Sequence, residues 1–430
     1  MVAWLRSRWL PVQVPVDRVH RSSVDIVLLT VVFMLLSLGL LSIYSGSAMD
    51  SYWESEGRSG TSYLTNQAVC IAMGLALMVF TSRLDYGYYW RLRVPIVLSS
   101  LLGLVAVWIP YVGITRNYST RWVNLVAFQF QPAEWAKIAV CIYLAYSITR
   151  RGEQIRNWWQ SFGVHLCVIA IYVALLMLQP DMGSSVLLSA LMVTMLFLGG
   201  AGWSVVASMG LLGFVLLVVG VSMGGYRSAR VQAWLDPWAH ADGVAYQLVN
   251  SLVALASGGA DGVGLGQGRG RLGYIPELHT DFIASGIGEE FGFLGMGALV
   301  LLYLMFLWRG VHIALRARDR FGYLLAMGLT FVVVFQAAMN LGVVTGLLPT
   351  KGLTLPFVSY GRSSLMMLMM GVGILLNISQ SNDDVRSQLH RERKASIAAA
   401  SRIERAQRVD ERRRSRARRN VGDTVIPEDP

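Results

Sequence analysis

Ten stretches of roughly 20 predominantly apolar residues, each long enough to cross about 30 Å of hydrocarbon, run through this chain almost from end to end. They fall at 24–46, 63–82, 94–113, 132–149, 162–179, 183–200, 204–224, 283–308, 322–348 and 361–380. The composition agrees: 54% of the 430 residues are hydrophobic and 15% are charged, well outside the range of a soluble domain. The expected fold is therefore an all-α polytopic membrane protein of about ten transmembrane helices. Short linkers and the lack of a fixed-period repeat point to one membrane domain, 23–382.

Lys and Arg set the expected orientation. With the N-terminus inside, 27 of the 37 basic residues fall in the inner segments, thirteen of them after residue 380. Both termini are then cytoplasmic, and one large loop, 225–282, lies outside between spans seven and eight. Residues 1–22 hold Arg6, Arg8, Arg18 and Arg21 without a continuous apolar core, so they read as a basic cytoplasmic segment and not as a removable signal peptide. The Arg-rich tail, 383–430, reads as a disordered, solvated segment near anionic lipid, with no nucleic-acid partner. Cys70, Cys141 and Cys167 fall inside apolar stretches as small packing residues, which implies neither redox nor zinc chemistry.

Ionisable groups in such a chain are costly and therefore informative. Pro132-Ala133-Glu134-Trp135-Ala136-Lys137 places a carboxylate and an ammonium on one helix face at i,i+3; a bracing ion pair and a ligand-contacting pair are both open. Arg121-Trp122 opens a surface-lying segment with a guanidinium available for phosphate. In Gln179-Pro180-Asp181-Met182-Gly183-Ser184, Asp181 suits a helix N-cap. The run from Gly258 to Gly268 is either a flexible loop or a backbone that approaches a ligand closely. After it, Pro276-Glu277-Leu278-His279-Thr280-Asp281-Phe282 sets a titratable carboxylate at the membrane surface. Glu289 and Glu290 follow deeper in the next span and need partners, Lys137 being one candidate. From Gly346 to Gly361, prolines and glycines break the helix into an irregular segment carrying Lys351, Ser359 and other hydroxyls, which suits a cavity wall.

Together the ten-span layout, Arg121-Trp122, the Gln131 to Lys137 string, Gln179 to Ser184, Tyr246-Gln247, the glycine run, Pro276 to Phe282, Gly288-Glu289-Glu290 and Pro349 to Ser364 resemble the SEDS family (shape, elongation, division and sporulation) over about residues 24–380. The string Pro349-Thr350-Lys351-Gly352-Leu353-Thr354-Leu355-Pro356 is closer to the division branch than to the elongation branch. Ser359-Tyr360-Gly361-Arg362-Ser363 departs from the usual pattern by placing Arg362 where the family has glycine. The resemblance implies a peptidoglycan glycosyltransferase that polymerises lipid II on the outer face of the cytoplasmic (inner) membrane at the division septum. It also implies a class B penicillin-binding transpeptidase and other divisome membrane proteins as partners.

Sugar transfer needs a base for the acceptor hydroxyl and cations for the departing diphosphate. Asp281 is expected to be the general base. Arg121, Lys137 and Lys351 are the candidate diphosphate ligands, with Glu134, Gln179, Ser359, Glu289 and Glu290 as further substrate-binding candidates, and a divalent cation (Mg or Mn) is admitted as cofactor. An α-linked donor and a β-linked product imply a single inverting displacement, for which one base suffices. The competing readings are a lipid-linked precursor flippase, which would carry its key charges near the bilayer midplane, and a scaffold in which Asp281 is replaceable.

Overall fold

The computed structural model describes residues 24–54, 61–116, 119–124, 129–159, 163–222, 225–276 and 278–381. Residues 24–379 belong to one compact unit, and a second, 18–23 with 380–430, lies almost wholly outside the described residues. The basic N-terminal segment, the Arg-rich tail and Glu277 therefore fall outside them.

Each apolar stretch forms a helix: α1 (Ile26–Glu54), α2 (Ser62–Arg83), a short α3 (Gly87–Arg91), α4 (Arg93–Ala106), α5 (Pro132–Arg151), α6 (Val164–Leu178), α7 (Met182–Leu198) and α8 (Trp203–Ser222). Two helices lie inside the large loop, α9 (Tyr226–Leu235) and α10 (Tyr246–Gly258), and α11 (Ile283–Leu315) and α12 (Arg320–Val344) follow. The last is α13 (Arg362–Ser381). Among the described residues, α1, α2, α11, α12 and α13 are each long and apolar enough to cross a membrane. Their faces expose side chains such as Phe33, Phe80, Phe293 and Trp308, which only an apolar surround accommodates. The chain is a multi-pass membrane protein.

The third stretch departs from expectation. Its helix stops at Ala106, because Pro110 lacks the N–H needed to continue. The chain then turns into a small antiparallel sheet, β1 (Gly113–Arg116), β2 (Ser119–Asn124) and β3 (Gln129–Phe130), in the order β1-β2-β3. Arg121 and Trp122 sit on β2, a strand and not a surface helix.

Local sequence explains the helix starts. Pro132 occupies the first turn of α5. Asp181 caps α7, accepting from the Ser184 amide at 3.0 Å and its hydroxyl at 2.7 Å, and Asp319 caps α12 through the Gly322 amide at 2.7 Å. The loops at 83–93, 199–202 and 316–320 meet at one end, joined by Tyr86 Oη donating to Asp319 (2.9 Å) and Arg320 donating to the Gly199 carbonyl (2.6 Å). The sheet, the 179–181 turn, the large loop and 345–361 lie at the other end. Helices α12 and α13 are the most enclosed: 67% and 83% of their apolar windows are buried, against 22% for α11. Polar groups on α12 can therefore act only inside the protein.

Candidate active site

The irregular segment 345–361 lies over the C-terminal end of α12, and six of its carbonyls are held by side chains from four other elements. Trp234 Nε1 donates to Gly346 O (2.8 Å) and Arg230 to Thr350 O (2.9 Å), both from α9. Asn340 and Gln336 on α12 donate to Leu353 O (2.6 Å) and Thr354 O (2.9 Å). Tyr303 Oη on α11 donates to Pro356 O (2.6 Å), and Gln67 Nε2 on α2 to Ser359 O (3.4 Å). Ser359 turns its hydroxyl back to accept from the Leu355 amide at 2.8 Å. Non-helical backbone at a membrane surface is tolerated only when its polar groups are met in this way.

Asp281 sits against this segment. A Cβ placed on Gly352 would lie 2.9 Å from Asp281 Oδ2, so the carboxylate occupies the space left by this glycine, which follows Lys351 in the chain. Asn340 Nδ2 also donates to Asp281 O at 2.7 Å, fixing the backbone of that residue to the segment. Asp281 and Lys351 are each partly exposed, and burial pushes the Lys351 ammonium below its ordinary pKa of 10.5. The His279 ring packs between Tyr63 (4.7 Å) and Tyr360 (5.7 Å), and its carbonyl accepts from the Tyr360 amide at 2.9 Å. His279 thus ties the Asp281 turn to the start of α13.

The remaining candidates are distributed differently. Lys137 is buried and donates to Glu134 at 2.8 Å and to Gln336 Oε1 at 2.8 Å, bracing α5 to α12. The pair borders a small cavity lined by apolar side chains of α12 and α13 such as Leu329 and Met367. Arg121 donates to the carbonyls of Gln179 (3.1 Å) and Pro180 (2.6 Å), joining the sheet to the α6–α7 turn, and Gln179 Nε2 donates to Leu104 O at 2.8 Å, joining that turn to α4.

Glu289 and Glu290 do not pair with Lys137. Glu289 accepts from the Arg269 amide (2.7 Å) and the Gly270 amide (3.0 Å), and Glu290 from the Gly266 amide (3.1 Å) and the Ser45 hydroxyl. Two carboxylates thus hold the glycine-rich loop. The loop in turn crosses α11 where that helix breaks at Gly292 (φ 64°): Val263 and Gly264 amides donate to Glu289 O and Glu290 O at 3.0 and 3.1 Å. A Cβ on Gly258 would meet Gly288 O at 2.0 Å, and one on Gly262 would meet Glu290 O at 2.2 Å. The glycines serve a close backbone crossing, neither of the two roles expected from sequence. Among the described residues no three of His, Cys, Asp and Glu converge to hold a metal ion.

Asn340, Gln336, Gln67, Arg230 and Trp234 escaped the sequence reading. The signal available was a buried amide pair at i,i+4, Gln336 and Asn340, within the otherwise apolar α12.

Residues 26–384 match the cell cycle protein family FtsW/RodA/SpoVE. The probable peptidoglycan glycosyltransferase FtsW of Geobacter metallireducens is 38% identical over 355 residues, covering 83% of this chain and 94% of its own length. Stage V sporulation protein E of Bacillus subtilis is 36% identical, covering 84% and 98%. Among solved structures, a chain described under structural coordination of polymerization and crosslinking by a peptidoglycan synthase complex superposes with a TM-score of 0.71 at 29% identity, covering 84% of this chain and 98% of that one. The rod shape determining protein RodA of Thermus thermophilus gives a TM-score of 0.62 at 28% identity with the same coverage.

Proposed function

The chain belongs to the FtsW/RodA/SpoVE family of cell cycle proteins, and from that premise we propose how it builds glycan. It is a peptidoglycan glycosyltransferase, as its FtsW relatives are named. The substrate is lipid II, a disaccharide peptide on undecaprenyl diphosphate, and the site is the Asp281–Lys351 surface. The observation that carries this reading is the placement of the Asp281 carboxylate against Gly352, the residue after Lys351, on a face of a segment held at six carbonyls.

In the reaction, Asp281 accepts the proton of the acceptor hydroxyl as its oxygen bonds to the donor's anomeric carbon. The bond from that carbon to the diphosphate oxygen breaks on the opposite face, so the configuration inverts. Lys351 binds the lipid diphosphate of the donor through its ammonium, equally in the bound substrate and as the group departs. Arg121, whose guanidinium is partly exposed, stands second in this role, and Lys137 is assigned to orienting Gln336. Glu289 and Glu290 maintain the loop wall. A divalent cation, Mg or Mn, would enter on the diphosphate, whose oxygens supply hard ligands of the kind these ions prefer.

The FtsW resemblance favours septal synthesis in the cytoplasmic membrane, with Asp281 outside and both termini inside. A neighbour of this fold works in a peptidoglycan synthase complex, and we assign this chain a class B penicillin-binding transpeptidase as partner.

The deciding experiment is polymer formation from purified lipid II in detergent, where transport is undefined. Asp281→Asn keeps size and hydrogen-bonding reach but cannot take the proton, and a loss of roughly 10²–10⁴-fold is expected. Polymerisation by Asp281→Asn at the wild-type rate overturns the mechanism. Inactivity of the wild-type protein and its transpeptidase complex there favours the flippase reading.

A further inference from the structure

Asn340 is 1% exposed, on one of the two most enclosed membrane spans, yet carries a polar side chain. Both hydrogens of its amide go to carbonyls, Asp281 O at 2.7 Å and Leu353 O at 2.6 Å. The amide orientation is thereby fixed, since the reversed one would set its oxygen against two carbonyl oxygens. Its Oδ1 is buried with no hydrogen-bond partner among the described residues, so the side chain gives up one favourable contact to keep the other two. One turn earlier, Gln336 is oriented by Lys137 and holds Thr354 O at 2.9 Å.

We propose that Asn340 is a positioning residue for catalysis: it clamps the backbone of Asp281 to that of Leu353 and so sets the carboxylate's place against Gly352. The inference rests on the reading of Asp281 as general base. Asn340 touches no reacting atom; it acts through Asp281. A base loosely tethered to the cation that receives the leaving group would spend much of its time out of reach of the acceptor hydroxyl, and misplacement of about 1 Å can cost on the order of 10²-fold.

The test is a double-mutant cycle on the full chain with its transpeptidase partner, measuring lipid II polymerisation and thermal melting together. Asn340→Leu removes both donors at nearly constant volume. Expected are a kcat at least tenfold lower, a KM for lipid II within twofold of wild type, and no further loss when the change is made in Asp281→Asn, because a clamp on a base that no longer works has nothing left to position. Losses that multiply in the double variant would assign Asn340 to general architecture and overturn the proposal, as would wild-type kcat in Asn340→Leu. Asn340→Ser, which retains a single donor, should fall between the two and serves if the leucine variant does not fold. Wild-type activity in Asp281→Asn alone is the separate signature of failure of the base reading, and the positioning role falls with it.

Discussion

Two irregular segments lie at the same end of the bundle, and they solve the same problem in opposite ways. In the loop at 258–270 the backbone amides are taken up by carboxylates, Glu289 and Glu290, while its glycines press against the backbone of α11. In the segment at 346–361 it is the carbonyls that are taken up, by amide, guanidinium, indole and phenol donors from other helices. A backbone-on-backbone seam leaves no room for a ligand, so the glycine loop is a wall. A backbone suspended from side chains can turn one of its own toward solvent and lie against another carboxylate, as Lys351 and the contact of Gly352 with Asp281 illustrate. Glycine density, read in isolation, pointed to the wrong segment.

The wall can be broken most severely at Gly262. Its φ of 83° and a Cβ 2.2 Å from Glu290 O make any side chain clash with backbone that cannot yield. Gly262→Ala should cost about 3 kcal/mol or more, read as a large fall in melting temperature and in folded yield. Next is Glu289→Ala, which leaves the Arg269 and Gly270 amides without their carboxylate. A cost of about 2 kcal/mol is expected, with the KM of the remaining folded protein unchanged. A KM rise without a stability loss would return Glu289 to the substrate site and erase the contrast between the two segments.

How much of this was legible in sequence depends on the range over which each signal acts. The helices were, because hydrophobic length is a local property, and so was the cap at Asp181; the cap at Asp319 was not read. The end of α4 at Ala106 was written in Pro110 but was outweighed by the apolar residues around it. Asp281 and Lys351 stood out as charges on broken segments. What pairs with what did not: Glu289 is satisfied by amides 19 and 20 residues away and Lys137 by Gln336 across 199 residues, and one-dimensional periodicity carries no record of such contacts. Asn340 is the clearest case, since a buried amide in an apolar helix reads as a defect until its two carbonyls are seen.

Within the catalytic segment the largest of the remaining effects belongs to Gly352. Its added Cβ meets only the flexible end of Asp281, at 2.9 Å, so Gly352→Ala should fold normally and lower kcat by about tenfold as the carboxylate is displaced. Equal losses of stability in Gly352→Ala and Gly262→Ala, measured by thermal melting in detergent, would show that the two segments are not different in kind. Lys351→Ala should act on binding, raising the lipid II KM roughly fivefold, about 1 kcal/mol for a partly solvated charged contact.

The smallest effect expected is a pH dependence. Burial lowers the Lys351 pKa below 10.5, so in the free protein the ammonium is lost at a lower pH than in an unfolded chain. Folding therefore favours the neutral form, and the stability contribution of Lys351 rises as pH climbs from its folded value toward 10.5. Substrate binding runs the other way, because a diphosphate needs the charge. The lipid II KM should rise with pH over that same window while kcat at saturation stays level. Lys351→Arg keeps its charge throughout and should show a flat KM there, whereas Lys351→Ala should be flat at a higher value. A KM that rises identically in wild type and Lys351→Arg would trace the titration to another group and remove Lys351 from the diphosphate site, leaving the segment as structural as the glycine loop.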